Sequence, residues 1–139
     1  MRNFAFLFAF SLVFTACQTK FSKDDVAKIN GYWQIEKVVK NDGEHKDYQA
    51  NTVYDFYEIK SDKGYRAKVM PQLDGTFQTN DLTEKIVVTY EKDGTFLNYM
   101  TDYDKWREKI ISISDAELVV ENPQQIEYHY KKAGPIKLD

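Results

Sequence analysis

The sequence predicts an all-β chain, either an antiparallel up-and-down barrel or a sandwich. Three observations carry this. Nine short stretches rich in β-branched and aromatic residues follow one another at nearly even spacing. Turn signals separate them: Asn41-Asp42-Gly43, Ser61-Asp62-Lys63-Gly64, Asp74-Gly75, Asp93-Gly94, Asp115-Ala116 and Asn122-Pro123. No amphipathic helical pattern occurs beyond one short turn near the start. At 139 residues, one domain is expected.

Residues 22–29 (SKDDVAKI) read as that helical turn. Ser22 caps it, and Asp24 and Asp25 sit where the helix dipole favours acids. Gly31 breaks it. In the first strand, 32–39, Trp33, Ile35 and Lys37 alternate with Tyr32, Gln34, Glu36 and Val38. A turn at 41–43 and a polar loop at 44–51 follow. Strand two is 52–59 (TVYDFYEI), and strand three is 65–70, ended by Pro71. Strand four is 76–79 and strand five 85–91. The pair Asp93-Gly94 is the cleanest hairpin signal in the chain. Strands at 95–101, 106–114, 117–121 and 125–132 complete the set, and 133–139 is a tail. The run Asp74-Gly75-Thr76-Phe77 recurs as Asp93-Gly94-Thr95-Phe96, which reads as one hairpin solution used twice.

Residues 1–16 read as a leader rather than as part of the fold. Arg2 supplies a minimal positive region, and 4–14 is an apolar run too short to span a bilayer. The run ends in Phe14-Thr15-Ala16-Cys17, which resembles the lipobox of bacterial lipoproteins, with Phe14 where Leu is usual. The resemblance implies cleavage before Cys17, a lipid on Cys17, and a place in the bacterial envelope, in the outer membrane. Cys17 is the only cysteine, so no disulfide competes for it. The full chain has 19 Lys and Arg against 22 Asp and Glu, a net charge of −3, and losing Arg2 with the leader makes it −4. That balance argues against nucleic acid as a partner. It also argues against electrostatic docking on anionic lipid, so the lipid itself would hold the protein to the membrane. Lys23-Asp24-Asp25 resembles the surface-export signal of some Gram-negative lipoproteins, and the helix-start role is the plainer reading.

Gly31-x-Trp33, after a helical turn and on a first strand, resembles the G-x-W signature of lipocalins. The later pattern agrees with lipocalin-like domains of bacterial lipoproteins: Tyr54-Asp55-Phe56, the Asp-Gly hairpins, Ile111 and Ile113, Leu118-Val119-Val120, and a Tyr-rich last strand. The resemblance covers about residues 29–131. It implies a barrel of about eight to nine strands with Trp33 plugging the closed end, and a basic residue packed over the plug. Arg107, Lys131 and Lys132 are the choices for that residue. The expected organisation is a leader at 1–16, a lipidated tether and helical turn at 17–28, a barrel at 29–132, and the tail.

Alternation then proposes an inner face. It holds Trp33, Ile35, Tyr54, Phe56, Phe77, Ile86, Val88, Tyr90, Phe96, Met100, Ile111, Ile113, Leu118, Val120, Tyr128 and Tyr130. A small barrel either fills with side chains or holds one small ligand. In the second case Tyr54, Phe56, Tyr90, Phe96, Met100 and Tyr128 would line the site, mid-strand and away from the plug. Asp55, between Tyr54 and Phe56, is expected outside.

Catalytic signals are thin. No G-x-S-x-G, H-E-x-x-H or Gly-rich phosphate loop occurs. His45 lies in the polar loop, and His129 is expected on the outer face. Asp102 and Asp104 are too few ligands for calcium. No enzyme activity, metal or cofactor is expected. Two readings remain. One is a barrel that binds a small, mostly apolar molecule. The other is a filled barrel whose loops meet another envelope protein, as an inhibitor or accessory subunit.

Overall fold

The computed structural model describes residues 20–48 and 52–134. The leader and Cys17 lie outside the described residues. Helix α1 (Lys23–Ala27) starts on the expected Ser22 cap. The Ser22 hydroxyl accepts from the Asp25 amide at 3.1 Å, and the Asp25 carboxylate accepts from the Ser22 amide at 2.9 Å. The two first-turn donors are thus satisfied reciprocally.

Nine strands follow among the described residues: β1 (Gly31–Val39), β2 (His45–Asp47), β3 (Tyr54–Lys60), β4 (Lys63–Pro71), β5 (Phe77–Glu91), β6 (Gly94–Met100), β7 (Lys105–Ile113), β8 (Glu117–Glu121) and β9 (Glu127–Ala133). From β3 onwards each pairs antiparallel with the next. Pairing of β9 with β1, from Tyr32–Ala133 to Val39–Glu127, closes the sheet into a barrel of eight strands. Closure removes the free edges that an open sheet must protect. The ninth strand, β2, lies outside the ring, on the far half of β1 at Lys37–Val39. The chain is therefore an up-and-down barrel, not a sandwich.

Two elements differ from the sequence expectation. The loop 44–51 contains β2, whose three residues are exposed and gain pairing without burial. The expected strands at 76–79 and 85–91 are one strand, β5, because polar residues 80–84 extend rather than turn. The strand bends instead, with Asp81 at φ 61° and a register shift opposite Ala67 and Val69. The bend carries Phe77 over the outside of the barrel, where it stacks on Tyr32 at 3.9 Å.

The barrel has a closed end and an open end. At the closed end, Trp33 is fully buried, and its indole Nε1 donates to the Ile29 carbonyl at 2.7 Å. Val26 and Ile29 pack into the same core as Ile59, Ile86, Val88, Leu97, Ile110, Leu118 and Val120. The Asn30 side chain accepts from the Ile59 amide at 2.6 Å and donates to the Ile59 carbonyl at 3.0 Å, as a strand residue would. Lys132 is the basic residue over the plug. Its ammonium lies 4.5 Å from the Trp33 ring and donates to the carbonyls of Lys28 and Asn30. Gly31 adopts φ 118° directly beneath that ammonium, where a side chain would be both strained and crowded.

Candidate binding site at the open end of the barrel

The β3–β4 hairpin sets the site. Ser61 and Asp62 take left-handed dihedrals (φ 51° and 64°), the two-residue turn that suits the twist of a hairpin. Gly64 follows in the strand, where a Cβ would come within 1.7 Å of the Glu58 carbonyl oxygen. This turn pairs Lys60 with Lys63, Tyr57 with Arg66, and Asp55 with Lys68. Partners directly opposite share a face. On β1, Trp33 opposes Asp55. Since Trp33 points inward, so do Asp55, Tyr57, Arg66 and Lys68. On β5, Glu84 opposes Arg66. On β6 and β7, Tyr99 opposes Trp106 and Leu97 opposes Glu108, all inward.

The result is a set of ionisable side chains inside the barrel, above the apolar core. Arg66 is its centre, with its side chain only 12% exposed. Its guanidinium lies 4.5 Å over the Tyr99 ring. Nε donates to Glu84 Oε2 at 2.9 Å, and Nη2 donates to the same oxygen. Nη1 reaches the Tyr57 hydroxyl at 3.5 Å and stands 3.6 Å from Glu108 Oε1. The Tyr57 and Tyr99 hydroxyls are 3.3 Å apart. Asp55 Oδ1 forms an ion pair with Lys68 Nζ at 2.5 Å, off the line of a hydrogen bond. Asp55 Oδ1 and Glu108 Oε1 are the two buried side-chain oxygens, among the described residues, that lack a hydrogen-bond donor from the protein. The Glu108 side chain is 8% exposed.

Burial sets the proton affinities. It pushes the phenols of Tyr57, Tyr99 and Tyr130 well above their ordinary value, so all three are neutral donors. Burial opposes the charge on Arg66, but Tyr57, Tyr99, Asp55 and Glu84 more than offset it and hold the guanidinium protonated. Burial also lifts the Glu108 carboxyl above the usual range. Arg66 and the Tyr99 hydroxyl pull it back, while Asp55 and Glu84 raise it further.

Above these groups is an open-ended cavity of about 370 Å³. Arg66, Lys68, Trp106, Glu108, Tyr128 and Tyr130 are among its walls, and the turn at Asn122–Gln124 forms its lip. Trp106 is stacked on Tyr99, with centroids 5.3 Å apart and planes 7° apart. The size lies within the range of small-molecule sites. Lys68 and Glu84 also border a second cavity of about 580 Å³ under the rim at Leu82 and Met100–Tyr103. Among the described residues, no group of three or more His, Cys, Asp or Glu is placed to hold a metal.

A protein-family model described as a lipocalin-like domain matches residues 29–120. The chain belongs to the lipocalin-like domain family. Among solved structures, the chain is similar to a lipocalin-like protein from Bacteroides uniformis, with 15% identity and a TM-score of 0.47 over 76% of this chain and 99% of that one. It is similar to an uncharacterized protein from Bacteroides eggerthii at 11% identity, TM-score 0.47, covering 75% and 98%. Apocrustacyanin C2 gives 10% identity and a TM-score of 0.47, covering 84% and 67%. No curated protein matches.

In this lipocalin-like barrel the expected site residues scatter. Tyr128 borders the cup. Tyr90 shares the inner phase of Ile86 and Val88 but lies at the closed end, half-exposed, with its hydroxyl donating to Asp62 at 2.9 Å. Tyr54 and Phe56 face outward, because Asp55, Tyr57 and Ile59 take the inner phase of β3. Phe56 packs outside against Tyr32 and Tyr65. Phe96 and Met100 also face outward. Phe96 is buried there by the guanidinium of Arg107, 3.8 Å from its ring, and Met100 is 40% exposed between Lys85 and Lys105. Phe77 is outside on Tyr32, and a bulge on β7 puts Ile110 rather than Ile111 into the core. Trp33 is fully buried at the closed end, on the Ile29 carbonyl. The charged residues Asp55, Arg66, Lys68, Glu84 and Glu108 are what the sequence reading missed. Arg66-x-Lys68 looks like a solvated face, and only strand register shows otherwise.

Proposed function

We propose that this protein is an envelope lipoprotein whose barrel takes up a small molecule at its open end. Members of the lipocalin-like family are generally binding proteins rather than enzymes, which supports the reading. The observation that carries it is the open cup of about 370 Å³ whose floor holds the buried ionisable side chains of Arg66 and Glu108. A barrel serving only as a rigid support gains little from such groups, since a buried ion pair is often no more stable than well-packed apolar residues. The ligand is amphipathic rather than wholly apolar: Trp106, Tyr128 and Tyr130 offer aromatic walls, and the floor offers charge.

The chain's two tryptophans give the test. Trp106 borders the cup and Trp33 is sealed in the plug. A neutral solvatochromic dye such as Nile red should bind at one site per chain and quench Trp106. The quenching should persist in Trp33→Phe and vanish in Trp106→Phe. Saturable binding that leaves Trp106 emission unchanged would place the site elsewhere. The anchor is proposed on Cys17, in the outer membrane, from the lipobox resemblance. A clickable fatty acid should label the parent in its host and fail to label Cys17→Ser.

A second reading has one observation in its favour. Leu82 and Tyr103, 72% and 98% exposed, stand at the open rim and would suit a protein partner. Failure of any dye to enter the cup would favour it.

A further inference from the structure

We propose that the molecule held in the cup carries a cationic amine that docks on Glu108. The inference rests on the reading that the cup binds a small molecule, and it adds the chemistry of that molecule's polar end. Charge inside the barrel is unbalanced. Asp55, Glu84 and Glu108 face two cations, Arg66 and Lys68. Lys132, the other inward cation, sits at the far end over Trp33 and is engaged by two carbonyls.

The two cations are also committed. Glu84 holds Arg66 through two nitrogens, and Asp55 holds Lys68. Glu108 has the Tyr99 hydroxyl as a neutral partner and Arg66 Nη1 at 3.6 Å, too far for a hydrogen bond; its buried Oε1 has no hydrogen-bond donor, and the residue is part of the cavity wall. A buried acceptor without a donor is costly, and a carboxylate more so than a neutral group. An ammonium entering from the mouth supplies the missing donor and the missing charge together. Burial raises the proton affinity of Glu108, and Arg66 and the Tyr99 hydroxyl offset only part of that rise. The amine's body has flat walls to lie on in Trp106 and Tyr128.

Three probes of similar shape and different charge test this on the purified full chain by calorimetry at neutral pH: tryptamine, 3-methylindole and indole-3-acetate. Tryptamine should bind at least about tenfold more tightly than 3-methylindole, a difference of about 1.4 kcal/mol. Indole-3-acetate should bind more weakly than 3-methylindole. Glu108→Gln should remove the tryptamine advantage and leave 3-methylindole unchanged. The ranking on the parent protein needs no variant, so a misfolded Glu108→Gln does not rescue the proposal. Equal binding of all three, a preference for indole-3-acetate, or a tryptamine advantage that survives Glu108→Gln would overturn it. Should Nile red bind in the cup while the amine shows no preference, only the charge assignment falls. Should neither Nile red nor any indole bind, the reading of the cup falls with it.

Discussion

The two ends of this barrel use their interiors differently. At the closed end the polar groups serve the backbone. Trp33 Nε1, the Asn30 amide and the Lys132 ammonium all go to carbonyls, and the space between them is filled by apolar side chains. At the open end the polar groups face one another and the cavity. Arg66, Glu84, Glu108, Asp55 and Lys68 lie above Tyr57 and Tyr99, and the ledger of donors and acceptors does not close. A sealed, satisfied end contributes stability. An open, unsatisfied end gives up some stability and keeps chemistry available to a ligand.

Substitutions at the two ends should separate these roles. The largest effect is expected at the plug. Trp33→Ala removes a fully buried indole and its bond to Ile29, and strips the ring from beneath Lys132. A cost of about 3–5 kcal/mol is the usual range for such a truncation, and a urea midpoint equal to the parent's would show that the plug is not structural. Next is Arg66→Met, which leaves Glu84 and Glu108 without their cation. Breaking a buried pair from one side costs about 3–5 kcal/mol, and the lower end is expected here because Glu84 keeps 25% of its side chain in solvent. Thermal unfolding with no change from the parent would mean that water, not protein, screens these charges.

The contrast also explains what the sequence disclosed. The closed end was legible: the Ser22 cap, the Gly31 break and Trp33 are local signals, each a residue type with one strong conformational preference. The open end was not. In residues 54–60 both phases of the alternation carry aromatic residues, Tyr54 and Phe56 on one and Tyr57 on the other, so hydrophobicity alone does not choose between them. Register chooses, through Trp33 opposite Asp55. One part of this was within reach. The tight turn at Lys92-Asp93 pairs Glu91 with Gly94, and therefore Val88 with Leu97 and Ile86 with Tyr99. Placing Ile86 and Val88 inside then requires Phe96 and Met100 outside. A hairpin of two turn residues fixes facing on both strands, which alternation read one strand at a time does not. The bend at Asp81 and the bulge at Ile111 carry no comparable sequence signal. They answer to closure of the ring, a property of all eight strands together.

The smallest expected effect is the most specific to the open end. Glu108 binds its proton more readily in the folded barrel than in the unfolded chain, with burial the main cause. Asp55 and Glu84 reinforce that shift, and Arg66 and the Tyr99 hydroxyl oppose it. Below the ordinary glutamate range both states are protonated and the group is neutral to stability. As pH rises through that range the unfolded chain loses its proton first, so the folded state is progressively disfavoured. The loss is complete once pH passes the raised folded value. Glu108→Gln has no proton to lose. Its advantage in urea midpoint over the parent should therefore widen as pH rises above the ordinary glutamate value of about 4.3. Asp25, Asp74 and Glu91 are held below their usual range by hydrogen bonds to Ser22, Thr76 and Thr89, and they act with the opposite sign as pH falls. They are present in both proteins, so the difference between the two isolates Glu108. An advantage that narrows as pH rises would mean that Arg66 already satisfies the Glu108 carboxylate. The two ends of the barrel would then be equally closed in their electrostatics.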